Sequence, residues 1–413
     1  MSEQEAASWV GELQPRFDGV ERIAVLRGSG LGDLVQILPA VEALAAAYPR
    51  ASITLLGTPA HVALLQGRPS PFDALEVLPV APGIRAGAAE DPSAAEAFLA
   101  RMRGCSFDLA VQLHGGGRSS NPFLLALGAR HSVGSQTEDA VELERSRPFL
   151  YWQHETLRAL EVVALAGAAA VQLEPRLLLT PDEAARRRAP RSPSVVLHPG
   201  ATDPRRRWPA ERFAEVASAL AADGVRVVVV GDQSDVGTAE EILARVVDPA
   251  GLVSSRAGQV ALGGLVEVLV GADVVLANDS GPRHLAAAAG VSTVGIYWVG
   301  NLVNAGPLGR SRHRVQVGFA TTCRTCGRDI TQVGWTAERC EHDESILLDV
   351  PVGRVLPDVR ALLVDAHRER EHRRRDDRQR GHQEPDRQDQ DQGQDQGTRT
   401  AGVPAGGRRA AVG

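Results

Sequence analysis

The 413-residue chain carries 45 basic and 51 acidic residues for a net charge of −6, so no basic excess argues for a nucleic-acid partner. Hydrophobic residues make up 43%, enough for real cores, and the length allows two domains with additions. All of the Lys/Arg-type charges are arginine, which reads as a coding bias and weakens any argument from Arg over Lys at one site.

The first residues lack a basic start and an apolar core, so no secretory leader is expected. No uncharged apolar run reaches the roughly 18 residues that cross a bilayer; 162–171 is short and Ala-rich. A cytoplasmic location is the expectation, and there Cys105, Cys323, Cys326 and Cys340 are not expected to form a disulfide framework.

Residues 22–27 (RIAVLR) pattern as a buried strand, 28–33 (GSGLGD) as a Gly-rich turn and 34–48 as an amphipathic helix. A nucleotide-type α/β unit opens this way, although the third glycine breaks the dinucleotide fingerprint. Asp33 falls in the first helical turn. An acid there complements the helix dipole; at a cleft mouth it can also serve as a general base. Strands follow at 52–56, 74–78 and 107–113, helices at 60–67 and 94–103, and a Pro/Gly/Ala loop at 79–92. The turn His114-Gly115-Gly116-Gly117-Arg118 lies at a strand's carboxyl end and is a candidate acceptor site. Helices at 121–127 and 151–167 flank a short strand near 131. The alternation implies a mostly parallel sheet with covered faces.

Prolines and Arg186-Arg187-Arg188 break the pattern over 177–193, where the interdomain linker is placed. The pattern restarts with a strand at 194–197, the loop HPGATDPRRRWP, a helix at 210–223, a strand at 225–230, the loop GDQSD and a helix at 236–246. The stretch 276–296 (LANDSGPRHLAAAAGVSTVGI) then reads as strand, turn, helix, strand. Ser280 or Asp279 can cap its helix and Pro282 suits the first turn. A helix N-terminus at the carboxyl end of a parallel strand offers free N–H groups to an anion, above all a phosphate. The Arg205–Arg207 run, otherwise a solvated charge cluster, stands where a guanidinium can reach a diphosphate bidentately. A carboxylate one strand away can hold a ribose diol.

Cys323-x2-Cys326, Cys340 and His342 place four soft ligands within twenty residues, with the spacing of a metal knuckle; reduced, partly buried thiols are the other reading. A final helix is expected near 351–364. From 367 to 413 the chain turns Arg-rich and then Gln/Asp/Gly-rich without apolar periodicity, and reads as a disordered tail.

Three blocks, RGSGLGDLVQILPAVEALAAAYPRASITLL, HPGATDPRRRWPAERFAEVASAL and ANDSGPRHLAAAAGVSTVGIY, together resemble glycosyltransferase family 9, the ADP-heptose:lipopolysaccharide heptosyltransferases and their relatives. The resemblance covers about 22–359 and implies an α/β chain of GT-B fold. Two Rossmann-like domains face each other across a cleft, an acceptor domain over 1–180 and a donor nucleotide-sugar domain over 190–366. It implies Asp33 as catalytic base and Arg206 as the cation that neutralises the leaving diphosphate. Thr202, Asp279, Ser280, Gly281 and His284 match donor-binding positions, and Asp235 lies near the acid that binds the nucleoside. The implied reaction is inverting and metal-independent; it needs no cofactor. The donor is ADP-heptose or another nucleotide-diphospho-sugar. The acceptor stays open: a surface or lipid-linked glycan, a secondary metabolite or a protein, with no nucleic acid involved. The basic start of the tail, Arg368 to Arg380, offers a contact to anionic lipid at the inner membrane face, and a solvated tail is the other reading. Any Zn or Fe on the cysteines is structural. A noncatalytic sugar-nucleotide-binding protein and a GT-B sugar-nucleotide epimerase are the alternative readings.

Overall fold

Strand β1 (Arg22–Leu26) is buried along four of its five residues, as an apolar run must be when helices cover both faces of its sheet. The computed structural model describes residues 10–87, 91–189, 192–333 and 337–381. After β1 come α1 (Leu31–Ala47), β2 (Ser52–Gly57), α2 (Pro59–Leu65), β3 (Ala74–Val77), α3 (Pro92–Gly104), β4 (Leu109–Gln112), α4 (Ser120–Leu125), β5 (His131–Gln136), β6 (Arg145–Pro148) and α5 (Glu155–Ala164). The six strands form one parallel sheet in the order β3-β2-β1-β4-β5-β6.

The chain continues through α6 (Pro181–Arg188), β7 (Ser194–His198), α7 (Ala210–Ala222), β8 (Arg226–Val229), α8 (Val236–Arg245), β9 (Val253–Ser255), α9 (Leu262–Val270), β10 (Val274–Asn278), α10 (Gly281–Ala288), β11 (Ser292–Trp298), α11 (Val299–Ala305), β12 (His313–Gly318) and α12 (Val352–Gly381). The second parallel sheet is ordered β12-β11-β10-β7-β8-β9, which repeats the first arrangement. In each sheet the winding reverses, between β1 and β4 and between β7 and β10. At such a switch point the strand-end loops part and leave a crevice.

Helix α6 lies inside the stretch expected to be linker. Its start is specified locally: Thr180 Oγ1 accepts from the Glu183 N–H at 3.3 Å, the Glu183 carboxylate accepts from the Thr180 N–H at 2.9 Å, and Pro181 opens the first turn. Helix α12 runs on to Gly381, past the point where the tail was expected to begin; 382–413 lies outside the described residues. Among the described residues no helix is long and apolar enough to cross a membrane.

The two sheets share a core. One apolar cluster contains Ile23, Leu34 and Leu44 from the first and Val196, Leu269 and Leu285 from the second, and α1 packs directly on α10.

Candidate active site

Two glycines, Gly32 and Gly281, set how closely the two sheets approach, and a third, Gly28, lets the turn after β1 pass the loop that carries Ile84 in its own half. A Cβ on Gly28 would lie 1.9 Å from the Ile84 carbonyl oxygen, one on Gly32 2.9 Å from His284 Cδ2, and one on Gly281 3.2 Å from Leu31 Cβ. Helices α1 and α10 therefore meet at their N-terminal ends, one from each sheet. Both positive dipole ends point into the space between the sheets.

Asp33 stands in that opening. Its Oδ1 accepts from Arg27 Nη2 at 2.8 Å, its Oδ2 accepts from the Gly30 N–H at 2.9 Å, and 39% of the side chain stays exposed. Burial pulls its carboxyl upward. The Arg27 charge and the hydrogen bonds from Gly30 and Ser29 outweigh this and hold it below the ordinary aspartate value. Arg27 also reaches Glu155 Oε2 at 3.3 Å and donates to the Leu113 carbonyl, so one buried guanidinium ties the end of β1 to α1 and α5.

Across the opening, Asp279 follows β10. Its Oδ1 accepts from His284 Nε2 at 3.1 Å, and its Oδ2 accepts from Asn301 Nδ2 at 2.7 Å and lies 3.5 Å from Arg206 Nη1. Gln36 Nε2 approaches His284 Nδ1 at 3.2 Å and Arg283 donates to the same nitrogen. This network assigns the His284 proton to Nε2. Burial, then the Arg283 charge, keeps the ring below the ordinary histidine value and hence neutral. Asp279 is held ionised against its own burial by His284 and then by Arg206 and Arg283.

The third group lies at the ends of β7 and β8. A Cβ on Gly200 would come within 2.4 Å of the Asp235 carboxylate and one on Gly231 within 2.5 Å of Asp235 Cβ, so the two glycines make room for a buried acid. Asp235 lies 3.6 Å from His198 Nε2, and His198 Nδ1 lies 3.0 Å from Ser280 Oγ. Of the three consecutive arginines, Arg205 is buried against Asp203 at 2.6 Å and Arg207 Nε donates to the Ala201 carbonyl at 3.0 Å. Arg206 alone pairs with Asp279. Asn278 fixes the loop by accepting from the Trp208 N–H at 3.0 Å and donating to the Pro199 carbonyl at 2.6 Å.

Asp33, Thr202, Arg206, Asp235, Asp279, Ser280, Gly281 and His284 all line one cleft of about 770 Å³, within the range of small-molecule sites. The turn 114–118 does not line it. His114 is spent on structure, with Nδ1 3.3 Å from the Gly28 N–H and Nε2 3.1 Å from the Gly83 carbonyl. Sequence reasoning passed over Arg27, Gln36, Glu155, His198 and Asn301. Only His198 carried a signal, as the last residue of a strand before Pro-Gly.

The model for glycosyltransferase family 9 (heptosyltransferase) matches residues 96–331. This chain belongs to glycosyltransferase family 9. Lipopolysaccharide heptosyltransferase 2 of Escherichia coli K12 is 30% identical over 174 residues, 42% of this chain and 47% of that protein; the match spans about half the length of such curated relatives. The structure of a family 9 glycosyltransferase from Veillonella parvula aligns with a TM-score of 0.67 at 18% identity, covering 84% of this chain and 97% of that one. The E. coli ADP-heptose lipopolysaccharide heptosyltransferase II aligns at 0.64 and 20%, over 84% and 99%. The two-sheet architecture is thus the GT-B fold of these proteins.

This family 9 chain also gathers its cysteines. The ligand atoms of Cys323, Cys326, Cys340 and His342 all lie within 4.8 Å of one another. A tetrahedral ion with metal–sulfur bonds of about 2.3 Å needs sulfurs about 3.8 Å apart, so a small contraction would complete the set. The knuckle turn is preformed: Gly327, at φ +70, donates to the Cys323 carbonyl at 2.8 Å, and the Cys323 N–H donates to the Arg328 carbonyl at 2.8 Å. N–H groups of Cys326 and Thr325, with the neighbouring thiols, lower the Cys323 thiol to about 6. The segment leans on the arginine loop, for Ile346 N donates to the Arg205 carbonyl at 2.9 Å and Ser345 Oγ to the Arg207 carbonyl at 2.6 Å.

Proposed function

We propose that this protein is an inverting glycosyltransferase that moves a heptose or related sugar from a nucleotide diphosphate to a hydroxyl of a surface or lipid-linked glycan. The observation that carries the reading is a half-exposed, ionised carboxylate on one sheet facing a cation and a helix N-terminus on the other. The nucleoside lies against Val230, Gly231 and Leu265 of the cleft wall. Its diphosphate takes Arg206, the Thr202 and Ser280 hydroxyls and the free N–H groups of α10. The acceptor oxygen attacks the anomeric carbon from the side of Asp33, and the bond from that carbon to the phosphate oxygen breaks. The bonding pair leaves with the nucleoside diphosphate and the hydroxyl proton passes to Asp33. One displacement inverts the configuration.

Asp33 is a weak base because Arg27 holds it ionised. It suits a late proton transfer, after the attacking oxygen has bonded to carbon and become acidic. Arg206 and the helix ends supply the charge for the departing diphosphate. Asp279, the acid nearest that charge, is already taken up by Arg206, His284 and Asn301, so the reading needs no divalent ion. The donor assignment to ADP-heptose draws on the similarity to the E. coli heptosyltransferases. A lipid-linked acceptor would place the reaction at the cytoplasmic face of the membrane. The Cys323–His342 cluster is assigned a structural zinc or iron, bracing the Arg205–Arg207 loop from behind.

Calorimetry with ADP, GDP, UDP and NAD tests the site. Tight binding of ADP alone is expected; binding of NAD alone, or of none, overturns the reading. Asp33→Asn is expected to keep ADP affinity while losing about 10²–10⁴-fold in turnover of ADP-heptose. Unchanged turnover removes Asp33 from the reaction.

A further inference from the structure

A second cavity of about 270 Å³ adjoins the cleft, and Arg206, Asn301 and Asn304 line both. Its other walls combine three aromatic residues, Tyr151, Trp152 and Trp298, with the Asp203–Arg205 ion pair and the aliphatic Ile330 and Ile346. Trp152 and Trp298 face each other with ring centroids 6.4 Å apart at 60°, and Tyr151 meets Trp152 edge-on at 4.8 Å. Trp298 is buried at 9% exposure, whereas Trp152 keeps 43% of its surface open. Gly300 permits the arrangement, because a Cβ there would lie 2.4 Å from Trp298 and 2.9 Å from Trp152. The cysteine-bearing segment closes the last side, with Val333 lining the cavity and accepting from Tyr151 Oη at 3.3 Å. Asn304 Nδ2 donates to the Tyr151 carbonyl at 3.1 Å, while its buried Oδ1 accepts no hydrogen bond among the described residues.

We propose that this cavity is the acceptor subsite and takes one pyranose ring, its C–H face against the Trp152 indole; the assignment rests on the transferase reading above. An indole offers an apolar face with a polar edge, which suits the alternating C–H and hydroxyl surfaces of a sugar. Mixed aromatic walls with a few fixed polar groups are the usual make-up of a small-molecule site. Placement matters as much as chemistry. The apolar nucleoside wall at Val230 and Leu265 lines only the cleft; the aromatic cavity meets the cleft at Arg206 and Asn301, on the diphosphate and Asp279 side. Both residues touch Asp279 Oδ2, at 3.5 and 2.7 Å. His284 connects Asp279 to Gly32, the neighbour of Asp33. A ring on Trp152 is thereby placed to present a hydroxyl through the Arg206–Asn301 opening into the cleft that Asp33 lines.

The test uses the full chain with Trp152→Ala and Trp152→Phe, saturated with ADP. Methyl glycosides of mannose, glucose and a heptopyranose are the probes, read by saturation-transfer NMR, with ADP affinity measured separately by calorimetry. At least one glycoside is expected to bind the unsubstituted protein, to bind Trp152→Ala at least tenfold more weakly and to bind Trp152→Phe within about threefold, with ADP affinity the same in all three. Equal glycoside binding by Trp152→Ala, or none by the unsubstituted protein with ADP bound, overturns the subsite while leaving the nucleotide reading intact. Absence of ADP binding in all three overturns both.

Discussion

Arg27 decides how Asp33 behaves. The guanidinium is 6% exposed and touches both Asp33 and Glu155, and its charge is the largest effect holding Asp33 below the ordinary aspartate value. Removing it in Arg27→Met leaves burial, which pushes the carboxyl upward, as the dominant influence. In the proposed reaction Asp33 acts as a base only when ionised, so the acid limb of the rate profile is expected to move to higher pH. A profile of kcat/KM against pH for the two proteins checks this, and an unmoved limb would assign the limb to another group. Arg206 differs from its neighbours in that its guanidinium is not spent on the local backbone or on Asp203. Arg206→Ala is expected to weaken ADP binding by about 1.5–3 kcal/mol, the size of a charge-assisted hydrogen bond, roughly 10- to 100-fold by calorimetry. Arg205→Ala is expected to show its effect in thermal stability, because Arg205 is buried against Asp203.

The junction of α1 and α10 depends on two residues without side chains. Gly32→Ala puts a methyl group 2.9 Å from His284 Cδ2, and overpacking of this kind costs about 1–3 kcal/mol. The strain falls on a ring that holds Asp279, so turnover and ADP affinity are expected to fall together with the melting temperature; loss of stability alone would separate the junction from the site. Helix α6 is held differently. Arg68 Nη1 and Nη2 each donate to a Glu183 oxygen at 2.5 Å, with both side chains 4% exposed. Glu183→Gln breaks a buried pair and is expected to cost about 3 kcal/mol, measured by denaturant unfolding. Burial raises Glu183, but Arg68 and Thr180 outweigh it and leave its folded value depressed. Its contribution is thus full above the unfolded carboxyl value and is lost as pH falls through the folded one. This helix also marks where sequence reading ended. Thr180-Pro181-x-Glu183 is a helix-start signal, yet the arginines and prolines around it read as linker. Strand β6, Arg-Ser-Arg-Pro, has no apolar residue and is a strand only because β5 offers an edge to pair with. The strands that flank the cleft were legible because they are buried on both faces and therefore continuously apolar. Asp33, Arg206, Asp279 and His284 were legible through short motifs at strand ends. Arg27, Glu155 and Asn301 act through partners on distant segments, and no local pattern announces such contacts.

At the scale of the whole molecule, the described residues from Val10 to Ala366 form one compact unit even though they contain two complete sheets. Two Rossmann-like halves joined by a linker are ordinarily free to unfold in two steps. Here Leu64 and Leu65 of α2 and the α1 residues Leu34, Ile37 and Leu44 share one apolar cluster with Val266 and Leu269 of α9 and Leu285 of α10. Separating the halves would expose that cluster to water at about 25 cal/mol per Å² of apolar surface, break the Arg68–Glu183 pair and part Gly32 from His284. Each half keeps a core of its own on its far face, but separation opens the shared cluster, and the free energy of that exposure couples their unfolding. A single calorimetric transition is expected, with equal van't Hoff and calorimetric enthalpies for that unit. Because the cleft is lined from both sheets and the halves are expected to unfold together, ADP at a hundred times its dissociation constant should stabilise that one transition as a whole, by about 2.7 kcal/mol, even though its proposed contacts all lie in the second half. Two transitions, of which ADP moves only one, would mean that the donor side folds and binds without the first sheet. The cleft would then be closed by a separate docking step, and not by the packing of α1 on α10.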